Sequence, residues 1–342
     1  MKLIKITCLL IFCFIYMPSS AQYTDVINSN RPGVSRSAFS VGTKVAQFEI
    51  GPYIINEKRT PALANKVDGF GIDFSARYGL VWEQLELNIE GTYQNDTKIF
   101  TSNFSTEEKR ANFRSLAIGA KYLVYDPYKN AEEEKPNLYS WNANHRFKWK
   151  SLIPAVAVYL GANFDTPDNP FTAQEIEGFS PKIMVATQHN FSGGWVFVMN
   201  LIKDRIRTKQ SDFTYILTLT HSFSPKWVIF GETQGIKSDF YADNLFRFGG
   251  AYLWSKNFQL DTAITFNTKD TPSVFSANLG MSYRLDFHKD KISKGDGIDN
   301  GTSAKDEAKR RTNRNNGKKK KKGGDATEKK KNKHKKDDID FN

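Results

Sequence analysis

The chain of 342 residues has only two cysteines, Cys8 and Cys13, both within its first fifteen positions. Beyond that point no disulfide framework and no thiolate metal site can be built. Five histidines in all leave little for an imidazole centre either. Mean hydropathy is −0.54, and several apolar runs of about 18 residues, which a polytopic helical membrane protein needs, are missing. Also absent are the zinc-protease HExxH pattern, the GxSxG nucleophile elbow and the Gly-Lys-Ser/Thr phosphate loop, so the hydrolase and nucleotide chemistries that use them have no residues to carry them. The chain reads as a non-enzyme, without catalytic residues, metal or cofactor.

What it has is aromatic residues, 13% with 26 Phe and 14 Tyr, and positive charge, +12 with a pI near 9.4. Such a pI ordinarily raises nucleic acid as a partner, but the charge is unevenly placed. Residues 288–342 hold 19 Lys and Arg against 10 Asp and Glu, a net of +9. Lys2 and Lys5 supply +2 more, leaving +1 for residues 22–287. The tail includes Lys318, Lys319, Lys320, Lys321 and Lys322, then Lys329, Lys330 and Lys331, with almost no apolar residues. It cannot bury enough surface to offset its chain entropy and is expected to be disordered. No nucleic-acid partner is expected for the nearly neutral body.

Residues 1–21 read as a signal peptide: Lys2 and Lys5, an apolar run from Ile6 to Met17, then Ser19 and Ala21 at the −3 and −1 positions of a cleavage site. The run is short for a membrane span. Residues 22–43 then form a periplasmic N-terminal segment, 44–287 the folded body and 288–342 the tail.

In the body the dominant period is two, the signature of strands with one apolar face. Phe275, Ala277, Leu279, Met281, Tyr283, Leu285 and Phe287 alternate with Ser276, Asn278, Gly280, Ser282, Arg284 and Asp286. Twelve such segments are expected, near 44–56, 69–80, 83–95, 111–125, 150–161, 179–191, 195–203, 212–223, 227–235, 244–254, 258–267 and 273–287. Pro52, Pro154 and Pro181 weaken three of them, because proline removes a ladder donor. A soluble β-sandwich also alternates, but three features favour an all-β transmembrane antiparallel barrel. Short turns at 81–82, 192–194, 224–226 and 255–257 alternate with mostly longer polar loops near 57–68, 96–110, 162–178, 204–211 and 236–243, as in outer-membrane barrels. Trp82, Trp195, Trp227 and Trp254 lie at the short turns, and Trp141 and Trp149 flank the fourth connection on the same side, as a periplasmic aromatic girdle would. The last strand carries Gly280, Tyr283, Leu285 and Phe287, which resembles the insertion signal of outer-membrane barrels, here followed by the tail. An even strand count puts both termini and the tail in the periplasm.

Inward positions then carry both signs: Glu49, Asp73, Arg77, Glu86, Glu90, Lys121, Arg247, Asp261, Arg284 and Asp286. A two-residue hairpin at Val81-Trp82 would set Arg77 opposite Glu86 and Asp73 opposite Glu90. That like-charge pair needs a cation, for which Lys121 is the candidate. Two readings stay open: a polar constriction that guides a solute, or a salt-bridged filling that keeps the barrel shut. His189 and His221 fall at the periplasmic strand ends, the wrong end for outer-membrane phospholipase chemistry, and read as interfacial hydrogen-bonders.

The segment Asn30-Arg31-Pro32-Gly33, followed by Ser37, Gly42 and Gln47-Phe48-Glu49-Ile50-Gly51, resembles the opening of the bacterial outer-membrane "transporter" family named for the meta-pathway of phenol degradation. Asn30 replaces the family's usual acidic residue, and the Lys-rich tail is not part of its pattern. The resemblance implies an outer-membrane barrel that passes small, hydrophobic or aromatic compounds. The rival reading is a non-conducting accessory barrel of a larger outer-membrane assembly or secretion complex. It would dock through the 126–150 connection, acidic at Glu132-Glu133-Glu134 and then basic. Expected partners are outer-membrane lipid and, through the tail, other envelope proteins or the cell wall.

Overall fold

A computed structural model of the chain describes residues 26–60, 65–101, 105–128, 153–173, 176–191, 193–239 and 241–287. Twelve antiparallel strands close into one barrel: β1 Val45–Arg59, β2 Asn65–Gly79, β3 Leu85–Thr101, β4 Ser105–Tyr125, β5 Ala155–Asp165, β6 Gly178–Phe191, β7 Trp195–Asp204, β8 Asp212–Ser222, β9 Trp227–Ser238, β10 Ala242–Ser255, β11 Phe258–Asn267 and β12 Ser273–Asp286. Each strand pairs with its sequence neighbours, and β1 closes on β12 from Val45–Asp286 to Lys58–Ser273. The start of β1 and the end of β12 therefore share one end of the barrel, here the turn end; the opposite end is the loop end. The β1–β12 ladder skips Gly51 and Pro52, where the proline has no N–H to donate.

Burial is inverted relative to a water-soluble fold. Gln47, Arg77, Glu86, Lys121, Asn200 and Arg284 are buried in the interior, while Phe48, Ile54, Ile118, Leu160, Phe248 and Leu279 are exposed on the outside. An apolar exterior around a polar interior is the surface of a barrel that lives in lipid, with backbone polar groups paired strand to strand so that none faces hydrocarbon. Trp82, Trp195, Trp227 and Trp254 are all exposed at the turn end, where they form one side of an aromatic girdle. Trp141 and Trp149 lie outside the described residues, as do the signal segment, the Lys-rich tail and most of the 126–150 connection.

Two expectations are corrected. The supposed loops 57–68 and 96–110 are largely strand, since β1 and β2 are separated by five residues and β3 and β4 by three. At about 3.4 Å per residue, the 21-residue β4 runs about 70 Å, far more than a tilted strand needs to cross a bilayer. The loop ends of β3 and β4 thus continue the sheet past the apolar band, and the connections differ less in length than expected. The β2–β3 hairpin has no two-residue turn. Residues 80–84 form a five-residue turn, closed by Leu85 N–H on the Trp82 carbonyl (3.0 Å). Two-residue hairpins favour Gly, Asn or Asp at φ > 0, which Val81 and Trp82 do not supply. The register is therefore two residues off the expected one: Arg77 faces Asn88, Asp73 faces Thr92 and Ser75 faces Glu90.

Candidate functional site

The N-terminal segment does not lie beside the barrel in the periplasm, as the sequence led us to expect. Residues 27–44 enter at the turn end, where Ile27 N–H bonds to the Lys256 carbonyl (2.8 Å), and return there, where Lys44 N–H bonds to the Gly79 carbonyl (2.9 Å). Between these points the segment loops through the lumen. A chain with this much buried backbone must satisfy its polar groups. It pairs with no strand, and side chains of the wall do the work instead.

Glu49 of β1 accepts the Asn30 N–H (3.1 Å). Glu232 of β9 accepts the N–H groups of Val34 and Ser35 (both 3.2 Å), and Glu86 of β3 accepts that of Val41 (3.0 Å). Asn200 of β7 clasps the Arg36 peptide from both sides, accepting its N–H (2.6 Å) and donating to its carbonyl (2.9 Å). Lys121 of β4 donates to the carbonyls of Ser37 and Phe39, both at 2.9 Å. Arg77 of β2 donates to the Asn28 carbonyl (2.6 Å). Ala38 packs into an apolar patch of Ala155, Ala157, Tyr159, Met184 and Ala186, small wall residues that leave room for the segment.

The segment also supplies charge. Arg31 pairs with Asp261 of β11 (3.2 Å) and lies over Gly51 and Gly280, at either of which a Cβ would fall within 2.3 Å of its guanidinium. Only glycine lets that side chain lie against the wall. Arg36 pairs with Glu90 of β3, which also holds Lys182 of β6 (2.8 Å). The remaining charges neutralise one another along the wall: Arg77 bonds to Glu49 (2.7 Å) and approaches Glu86 (3.8 Å), Lys121 pairs with Glu86 (3.2 Å), and Arg247 pairs with Glu232 (3.0 Å). Paired charges of this kind offset desolvation that an isolated buried ion could not bear.

Nine of the ten inward residues expected from sequence are placed in the lumen; Asp286 sits exposed at the rim, bonded to Arg284 (2.9 Å). The expected partners change. Glu90 is neutralised by Arg36 and Lys182, not Lys121, and Asp73 accepts from Thr92 (2.6 Å) without facing Glu90. Sequence reasoning missed Arg31, Arg36, Lys182, Asn200 and Glu232. Their signal was an excess of inward strand acids over inward strand cations, six against four, together with two arginines in a segment given no structural role. His189 and His221 stack outward on Phe191 and Trp195 (centroids 4.0 and 4.1 Å). Neither ring nitrogen of His189 has a protein partner. Tyr283, Leu285 and Phe287 line the outer face at the end of β12.

Above the segment, toward the loop end, lies a cavity of about 310 Å³ that reaches Asp204 and Asp212. Nearer the loop end lies a second layer of pairs, Arg110 on Asp96 of the adjacent strand (2.8 Å) and Arg205 on Asp165 (2.8 Å). Burial works against the Arg205 charge, but the Asp165 hydrogen bond and charge outweigh it and hold the guanidinium above its ordinary range.

Several solved barrels resemble this one in outline. An outer membrane channel from Pseudomonas putida F1 matches 76% of this chain and 100% of its own at 9% identity, with a TM-score of 0.47. The toluene transporter TodX from Pseudomonas putida matches 78% and 95% at 9% identity (TM-score 0.42). The translocator domain of the autotransporter NalP from Neisseria meningitidis matches 71% and 89% at 11% identity (TM-score 0.42). No curated protein matches the chain in sequence. A sequence profile described as "Putative MetA-pathway of phenol degradation" matches residues 29–285, beginning one residue before Asn30-Arg31-Pro32-Gly33 in the segment that loops through the lumen, and the chain belongs to that family.

Proposed function

We propose that the chain is an outer-membrane channel for small solutes, closed here by its own N-terminal segment. The observation that carries this reading is how the plug is held. Irregular backbone is fastened to the wall by side chains of Glu49, Glu86, Lys121, Asn200 and Glu232, with no strand ladder to unzip. Such a segment can leave without breaking the barrel, whose inter-strand bonds stay intact. Membership of the family and the polar, charge-paired lumen agree with a solute path. The girdle of tryptophans at the turn end supports placing that end, with both chain termini, at the periplasmic face.

Conductance in a planar lipid bilayer tests the reading. The purified chain is expected to show brief or small openings, and a variant lacking residues 27–41 a sustained conductance. Silence from both, with the barrel folded, would overturn it.

A further inference from the structure

The cavity above the plug holds more unsatisfied hydrogen-bond acceptors than donors, the Nη2 of Arg31 being an unpartnered donor in its lining. We propose that it is a binding site for a small solute bearing protonated amines; this names the solute class of the channel reading and rests on it for the route of access.

The argument starts from the charges that line the cavity. Its cations Arg31, Arg36, Lys121 and Lys182 are each already held by a carboxylate. Two lining carboxylates are not. Asp73 of β2 accepts only from Thr92 (2.6 Å), and Asp212 of β8 only from Thr214 (3.4 Å). Neither has an ion-pair partner among the described residues. β2 and β8 are six strands apart in a ring of twelve, so the two acids stand on opposite walls. An ammonium group is the partner that such carboxylates lack, through charge-assisted hydrogen bonds.

Unpartnered atoms in the same lining carry the second observation. Asn88 is 4% exposed and Tyr159 2%, and neither the Asn88 Oδ1 nor the Tyr159 hydroxyl has a partner. Gln234 Oε1 is likewise unpartnered. Buried polar atoms left in this condition are destabilising and are satisfied by a donor. Two carboxylates, two amide oxygens and a phenol suit a donor-rich cation; a carboxylate or phosphate solute would meet acceptors on both walls. The volume is at the lower end for a small-molecule pocket, and the lining is unlike a pocket for a plain aromatic hydrocarbon.

Calorimetric titration of the detergent-solubilised full chain tests this with 1,4-diaminobutane as the probe and 1,4-butanediol and succinate as size-matched controls. The diamine is expected to bind at least tenfold more tightly than either control. Asp73→Asn and Asp212→Asn are each expected to weaken it at least tenfold, and the exposed Asp239→Asn to leave it unchanged. Equal binding of diamine and diol would overturn the proposal without any variant, as would indifference of binding to both substitutions. Bilayer conductance of the full chain and of the variant lacking residues 27–41 separates the two readings. Diamine binding by a full chain whose barrel is silent in both forms would sink the channel and keep the site; conductance without diamine preference would sink the site alone.

Discussion

Replacing Glu232 with glutamine tests whether the wall holds the plug or merely surrounds it. The Glu232 carboxylate accepts the N–H groups of Val34 and Ser35 at 3.2 Å, the Thr218 hydroxyl at 2.8 Å and the Arg247 guanidinium at 3.0 Å. Glutamine keeps the shape, removes the charge and turns one oxygen into a donor. A hydrogen bond to a charged group contributes about 1.5–3 kcal/mol and a neutral one about 0.5–1.5. Two long bonds to backbone therefore lose about 1 kcal/mol each, or about 2 kcal/mol in all. At about 1.4 kcal/mol per tenfold, plug release should become about thirtyfold more favourable. Arg247 loses its charged partner and the barrel some stability, but the β8–β9 and β9–β10 ladders on either side of Glu232 are backbone to backbone and should stay closed. Amide hydrogen exchange resolved at Val34 and Ser35 reads the effect, with Phe230 in β9 as internal reference. Exchange at 34 and 35 should accelerate about thirtyfold while Phe230 stays slow. Unchanged exchange at the plug would refute the claim that Glu232 grips it. Equal acceleration at Phe230 would show that the substitution had opened the barrel, and the reasoning about separable plug and wall would fail.

Lys121→Met removes the donor to two plug carbonyls and the closest cation of Glu86, which keeps Arg77 at 3.8 Å and the Val41 N–H. A broken buried pair costs about 3–5 kcal/mol; with those partners left, about 3 kcal/mol is expected in urea unfolding from lipid vesicles, and less than about 1 kcal/mol would contradict the tight packing described. Since both native cysteines lie in residues 1–21, single cysteines report topology cleanly. With the turn end in the periplasm, a membrane-impermeant maleimide on intact cells should label a cysteine at Asp168, in the loop after β5, and spare one at Lys226, in the turn before β9. The reverse pattern would invert the proposed orientation.

Strand number and inward face were legible in the sequence because, where lipid faces one side of a strand and the polar lumen the other, side chains must alternate with period two. Strand length was not, for the same reason. Beyond the bilayer both faces of β3 and β4 are polar, as at Gln94-Asn95-Asp96-Thr97-Lys98, so the alternation fades while backbone pairing continues to Thr101 and Ser105. The β2–β3 register was missed because it depends on turn geometry, which Val81 and Trp82 do not encode by composition. The plug was hidden more deeply. Its backbone bonds to side chains distant in sequence, such as Glu232 and Asn200, and such bonding imposes no periodicity on residues 27–44. The readable trace was an imbalance: the inward strand positions expected from sequence carry six acids and four cations, and Arg31 and Arg36 stand in the segment just before the barrel.

That imbalance has a consequence for the open channel. When the plug leaves, each acid that held its backbone keeps a cation on the wall: Glu49 has Arg77 (2.7 Å), Glu86 has Lys121 (3.2 Å) and Glu232 has Arg247 (3.0 Å). Glu90 likewise keeps Lys182 (2.8 Å) after Arg36 departs. Asp261 alone among these loses its only ion-pair partner among the described residues, Arg31. Opening thus converts a neutral pair into a bare carboxylate on the path, in series with Asp73 and Asp212. The pore should therefore favour cations. One charge about 8 Å from an ion in a water-filled pore contributes about 0.5 kcal/mol, about a twofold preference. In the variant lacking residues 27–41, the reversal potential in a KCl gradient should show cation selectivity, and adding Asp261→Asn should cut the permeability ratio by about half. Glu49→Gln in the same background strips Arg77 of its closest acid and should move the ratio further toward anions. An Asp261→Asn pore with unaltered selectivity would mean that Asp261 finds another cation once Arg31 is gone, and that the plug carries away no charge the path can feel.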